Sequence, residues 1–205
     1  IASCLVGSEM CIRDRLRIIG RVDNFLTVLV TFFVGVGSLG LYTYISVVLE
    51  RVQVDTIAGM WIWGIGGAVG AFGIGRVLDK VDSSRKLTTI IIVLLAADFA
   101  MLLLFPSSRV VALVCLFAWG LLGWSSMAPQ QHSMLSANPD EGATAVAANA
   151  SANYLGSAVG SAVGGLFLPS STGILLGALF VVLVGIVCSI GARALSFLKP
   201  RDNEN

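Results

Sequence analysis

The stretch Gly75-Arg-Val-Leu-Asp-Lys-Val-Asp-Ser-Ser-Arg-Lys86 packs six ionisable side chains into eleven residues, with long apolar runs on either side. Charged side chains at the centre of a bilayer are expensive, so this loop marks a point where the chain leaves the hydrocarbon. The rest of the sequence supports a membrane setting. Of its 205 residues, 56% are hydrophobic and 12% charged, with a mean hydropathy of +0.89, whereas a soluble domain carries roughly 25% charged residues. A net charge of +1 offers no footprint for nucleic acid. The four cysteines do not form a disulfide framework: Cys115 and Cys188 lie inside apolar runs, where cysteine behaves as a small hydrophobe.

Crossing a hydrocarbon core of about 30 Å takes roughly 20 apolar residues. Outward from the loop, six candidate spans emerge, at about residues 25–49, 56–78, 87–105, 110–127, 143–168 and 174–197. The fold class expected is all-α integral membrane, because helices satisfy their own backbone polar groups in lipid and the apolar runs are too long for barrel strands. Breaks are expected at Glu50 to Asp55, Pro106 to Arg109, Ala128-Pro129 with the polar stretch from Gln130 to Gly142, and Pro169 to Gly173. The fifth span is the least hydrophobic, being mostly Ala, Gly, Ser and Asn. Gly156, Gly160 and Gly164 recur every fourth residue, which suits a span buried among other helices.

Residues 1–15 lack any pattern leading into the first span and read as a non-native leader; residues 16–198 form the bundle, and 199–205 a cytoplasmic tail. The leader has neither the basic start nor the apolar run of a signal peptide. With six spans and the leader set aside, nine cations fall on the side that holds both ends and the charged loop, against Arg51 and Arg109 on the other. The positive-inside rule makes the first side cytoplasmic.

Several residues then stand out as candidates. Asn149 and Asn153 lie one turn apart on one helix face, and amides at that depth need partners or water. Tyr42 and Tyr44, two apart, cannot both face one cavity. Tyr44, Trp61 and Trp63 suit a membrane interface, where Trp and Tyr collect. Asp98 is the acid well inside a span, by default a functional residue. Ser125 and His132 raise the alternative of an intramembrane serine hydrolase, but His132 is expected in the loop beyond Pro129, out of reach of the serine.

The order of three motifs resembles the major facilitator superfamily. Gly75, Asp79, Lys80 and the pair Arg85-Lys86 resemble its signature Gly-x-x-x-Asp-(Arg/Lys)-x-Gly-x-(Arg/Lys)-(Arg/Lys), with Asp82 at the second glycine and the basic pair late, as in the degenerate copy after the eighth helix. Trp119-Gly120, Trp124, Pro129-Gln130, Pro139, Asn149, Asn153, Gly156, Gly160 and Gly164-Gly165 resemble the tenth and eleventh helices of the drug/proton antiporter branch, near the arabinose-efflux-like permeases. Tyr42-Thr-Tyr-Ile45 resembles that branch's seventh helix, with Val47 where a proline is common.

The resemblance implies the C-terminal six-helix half of a twelve-helix secondary transporter in a bacterial inner membrane, with both ends of this stretch cytoplasmic and an N-terminal half as partner. Its function would be proton-coupled efflux of a small molecule by alternating access, with no enzyme activity and no cofactor or metal. The implied translocation cavity draws on Tyr42, Trp119, Trp124, Gln130, Asn149 and Asn153. Gly75, Asp79, Lys80, Arg85 and Lys86 would form a cytoplasmic gate loop, and Gly66, Gly70, Gly156, Gly160 and Gly164 would serve helix packing. Asp98 is the possible proton site. The alternative in a different class is a non-transporting six-helix scaffold or sensor.

Overall fold

A computed structural model describes residues 20–198, with side chains to residue 194. The stretch expected to be a leader and the tail beyond residue 198 lie outside the described residues. Among the described residues, nine α-helices form six rods. The first rod comprises α1 (Val22–Val34), a π-helical segment (Gly35–Leu39), α2 (Gly40–Tyr42) and α3 (Ile45–Glu50). The second is α4 (Thr56–Leu78), the third α5 (Ser84–Leu104), and the fourth α6 (Arg109–Ser125) with α7 (Met127–Ala137). The fifth is α8 (Gly142–Gly164), closed by a 3-10 turn (Gly165–Phe167), and the sixth α9 (Ser171–Leu198). Five rods contain helices long and apolar enough to cross a membrane. The exception is α8, whose 23 residues suffice in length but are too rich in small and polar side chains to qualify on hydropathy.

Local chemistry sets the helix starts. Asp55 accepts from Ala58 N at 2.9 Å, Ser83 from Lys86 N at 3.3 Å and Ser108 from Val111 N at 3.4 Å, each holding a backbone donor that the first turn leaves orphaned. Because Ser83 caps α5, that helix begins before Arg85 and Lys86, and the charged loop shrinks to Asp79 to Ser83. The fourth rod departs further from expectation. Instead of ending at Ala128-Pro129, it is interrupted only at Ser126, whose backbone stays helical (φ −68°, ψ −23°), and resumes to Ala137. Pro129 falls in the first turn of α7, where a missing N–H costs little. His132 is thus helical rather than in a loop. The first rod is interrupted twice, by the π segment and at Thr43-Tyr44.

The rods pair in a pattern with internal symmetry. The second packs on the fourth, the fifth on the first, the first on the sixth, the third on the fourth, and the third on the sixth. Exchanging rods one to three with rods four to six turns each of these pairings into another or into itself. Three rods reverse the chain's direction, so the repeat is inverted, the arrangement found in many transporters.

Glycine permits two of these approaches. A Cβ on Gly70 would lie 2.7 Å from Ser125 Oγ and closer still to Leu121 O, while Gly66 abuts Phe117 O and Gly120 abuts Trp63 O. In the exchanged pair, a Cβ on Gly160 would lie 2.9 Å from Gly40 Cα, Gly156 abuts Phe32 O, and Gly164 seats the Tyr44 ring. The helix-packing glycines named from sequence therefore pack within this chain, and a methyl group would force their helices apart.

Candidate functional site

Four rods line one side of a partly open cavity of about 320 Å³. Its wall is Val34, Ser38 and Leu39 from the first rod, Trp63 from the second, Gly123, Trp124 and Met127 from the fourth, and Asn153, Tyr154 and Ser157 from the fifth. Rods three and six contribute nothing, so the wall obeys the same exchange as the helix pairings. No side chain in it is acidic or basic. Its size falls at the lower edge of small-molecule sites, which run from roughly 300 to 1,000 Å³.

Aromatic packing shapes the wall. Trp63 stacks on Tyr42 at 4.2 Å between ring centroids and meets Trp119 and Trp124 edge-on at 6.1 and 6.3 Å. Trp119 also meets Phe99 edge-on at 5.6 Å, geometry that complements the quadrupoles of the rings. Trp119 Nε1 donates to Ser38 Oγ at 2.8 Å. That contact needs Ser38 on the inner face of the first rod, and the π segment carries it there; such segments often occur at functional sites. Trp63 is 7% exposed, and its Nε1 has no hydrogen-bond partner among the described residues.

A polar seam runs from the cavity toward the charged-loop end. Thr31 Oγ1 contacts Thr27 O at 3.1 Å, Asn149 at 2.6 Å and Gln130 Oε1. One hydroxyl proton cannot serve three acceptors at once. Gln130 is oriented by donating from Nε2 to Ser126 O at 2.9 Å, which turns its Oε1 toward Thr31, so Oε1, Asn149 Oδ1 and Thr27 O share that one hydroxyl donor. Beyond it, Asn24 and Asn138 exchange hydrogen bonds of 2.9 and 3.2 Å.

The residues singled out from sequence divide accordingly. Trp124 and Asn153 line the cavity. Tyr42 and Trp119 form the layer behind Trp63. Gln130 and Asn149 are buried in the seam, tying rods one, four and five together. Tyr44 turns away from Tyr42 and donates to Ser161 O on α8. Trp61 is exposed on the outside, whereas Trp63, expected at a membrane interface, is a core and cavity residue because rod four packs over it. Ser38, Met127, Tyr154 and Ser157 were not foreseen; only the glycines around Ser38 hinted at irregular backbone there.

Asp98 sits on α5, 7% exposed, with buried Leu95, Phe99 and Leu102 on the same helix and its Oδ2 unpartnered among the described residues. It lies away from the cavity wall. Gly75, Asp79, Lys80 and Lys86 are exposed, and Arg85 is half-buried beside Thr88 and Ser133. Asp82, at the signature's second glycine, needs no left-handed backbone: the positive-φ non-glycine among the described residues is Gln53. Ser125 packs over Gly70, and His132 Nδ1 pairs with Ser84 Oγ at 3.2 Å, so Ser125 and His132 do not form a nucleophile and base.

Comparison with known proteins accords with this architecture. The family profile described as Major Facilitator Superfamily matches residues 8–161. Two relatives, each named inner membrane transport protein YdhP, come from Escherichia coli O157:H7 and Escherichia coli strain K12. Each is 26% identical over 203 residues, covering 95% of this chain and 50% of the relative. The chain thus spans about half the length of the curated relatives it matches.

Proposed function

Because the chain belongs to the major facilitator superfamily, we propose that it is the C-terminal half of a secondary active transporter that exports a small molecule by alternating access, coupled to protons. The observation that carries this reading is the uncharged cavity of about 320 Å³ walled by rods one, two, four and five. The substrate would sit against Trp63, Trp124 and Asn153, with a second six-helix half closing the other side. The wall belongs to the two inverted repeats jointly, so rocking this half exposes one end of the cavity and then the other.

The charged loop supports a gating role through its electrostatics. Asp79 caps the C-terminal end of α4, and Arg85 and Lys86 lie in the first turn of α5. Each sits at the helix end whose partial charge repels it, at a cost of order 0.3–1 kcal/mol per charge when exposed. Charges so placed contribute little to this half alone and are available to the partner half. The cation asymmetry of the sequence supports a cytoplasmic position, at a bacterial inner membrane, for the loop and both ends of this stretch. For the coupling proton, the candidate in this half is Asp98, a carboxyl group with one oxygen unsatisfied inside a span.

Reconstitution of the complete gene product in proteoliposomes tests the proposal. Substrate flux should follow an imposed proton gradient and fall in Trp124→Ala and Asn153→Ala. Flux indifferent to the gradient would remove the antiport mechanism, and full coupling in Asp98→Asn would remove Asp98 from it.

A further inference from the structure

Resting on the cavity reading above, we infer that the site selects uncharged, flat, largely apolar molecules that carry a hydrogen-bond acceptor, and that the Trp63 indole N–H is the donor that reads it. Three features of the wall lead there. Trp63 lines the cavity, is more than nine-tenths buried, and has an Nε1 without a partner, although buried donors are nearly always paired. The comparable indole of Trp119 is paired with Ser38. The orphan therefore belongs to the ring that faces the cavity rather than to the one packed behind it.

The second feature is the company Trp63 keeps. Ser38 Oγ accepts from Trp119 and retains its own proton for donation, and the Asn153 side chain has no hydrogen-bond partner among the described residues. These two groups, with the hydroxyls of Ser157 and Tyr154, supply the polar points of a surface otherwise built of aromatic faces, Gly123, Val34, Leu39 and Met127. Such faces favour a flat, apolar frame. The third feature is the absence of any acidic or basic side chain from the wall. An anion would lose its hydration there with no cation to meet it, which disfavours charged ligands far more than polar ones. Trp124 is 42% exposed and packs edge-on against Trp63, so it is the ring that turns to admit an acceptor to Nε1.

The test uses three probes of closely similar shape: quinoline, with a ring-nitrogen acceptor; naphthalene, with none; and naphthoate, with a charged acceptor. The complete gene product is placed in lipid nanodiscs, and the indole N–H resonances of this chain's four tryptophans are assigned by single Trp→Phe substitutions. Quinoline is expected to move the Trp63 resonance in the direction of hydrogen bonding and to bind about tenfold more tightly than naphthalene, the worth of one neutral hydrogen bond at the upper end of its range. Trp63→Phe should bring the two affinities together without abolishing either, and naphthoate should bind more weakly than quinoline. If quinoline and naphthalene both perturb Trp124, bind equally and leave the Trp63 N–H unmoved, the acceptor inference is wrong while the cavity reading stands. Naphthoate binding as tightly as quinoline overturns the preference for uncharged ligands. If no probe disturbs Trp63 or Trp124, the cavity itself is not a ligand site.

Discussion

The glycine-lined approach of α8 to the first rod can be weighed against an open glycine elsewhere by making one substitution at both. In Gly160→Ala the new Cβ would stand 2.9 Å from the Cα atoms of Gly40 and Val36, and nearer still to Val36 O. Ordinary contact begins near 3.4 Å, so the two rods must separate by at least 0.5 Å. These neighbours are backbone atoms, which cannot rotate away. A gap of 0.5–1 Å forfeits a quarter to a half of each dispersion contact along the seam, and overpacking of this kind costs about 1–3 kcal/mol. A Cβ at Gly73, in the C-terminal third of α4, meets nothing within 4 Å. Gly73→Ala should therefore show only the propensity gain of Ala over Gly, up to about 1 kcal/mol in water and less where helices persist in the unfolded state. The propensity gain is common to both, so the two variants should differ by roughly 1–3 kcal/mol, with Gly160→Ala the less stable and Gly73→Ala at or above the parent. Unfolding in mixed micelles on titration with dodecyl sulfate, followed by tryptophan fluorescence, measures the difference. Equal midpoints for the two variants would refute the packing argument.

Other perturbations test other parts of the architecture. Thr31→Val removes the hydroxyl that joins Gln130 and Asn149 and should cost about 1–2 kcal/mol in the same titration. Ser38→Ala would leave Trp119 Nε1 as a second unsatisfied indole; the expected loss is about 1–3 kcal/mol, with a shift of the Trp119 indole resonance toward the unbonded position. Gln53 holds φ at 51°, a conformation that costs a side-chain-bearing residue about 1–2 kcal/mol. Gln53→Gly should leave stability unchanged or raise it by up to about 1 kcal/mol, since the greater entropy of glycine in the unfolded chain offsets part of the relief.

What the sequence disclosed follows from which forces act locally. The second rod can be read to the residue, because Asp55 caps its start and charge density forces its end. The fourth rod misleads because proline reads as a stop, yet the break in the helix at Ser126 puts Pro129 in a first turn, where its missing donor does little harm. The π segment escapes hydropathy altogether, since adding one residue to a helical turn does not change how apolar the turn is. In the site, Trp124 and Asn153 could be foreseen as cavity groups, but Asn149, on the same helix face, is consumed by Thr31. Sequence spacing gives the face a side chain occupies, not the partner already waiting there. Trp63 eludes such reading for a related reason: beside Trp61 it suggests a membrane interface, and only the packing of rod four over one of the two shows which is internal.

The exchange symmetry links the packing to the cavity. Rod two meets rod four through Gly66, Gly70 and Gly120; the exchange turns that pair into rod five against rod one, which meet through Gly156, Gly160 and Gly40. Two unrelated stretches of sequence thus solve the same packing problem in the same way, with the smallest residue on both sides of each contact. Helices that touch through backbone can approach closely without bulky side chains filling the space between the two pairs, and the cavity lies among these four rods. Rods three and six take no part in the cavity wall, and Asp98 lies on one of them. A charged loop set against its own helix dipoles, a cavity shared by both repeats and a buried carboxyl group outside that cavity are therefore separate parts of one fold. A change in one need not disturb the others: Gly160→Ala should strain the rod one and rod five seam while leaving the rod two and rod four seam, and with it the Trp63 to Trp124 contact, in place.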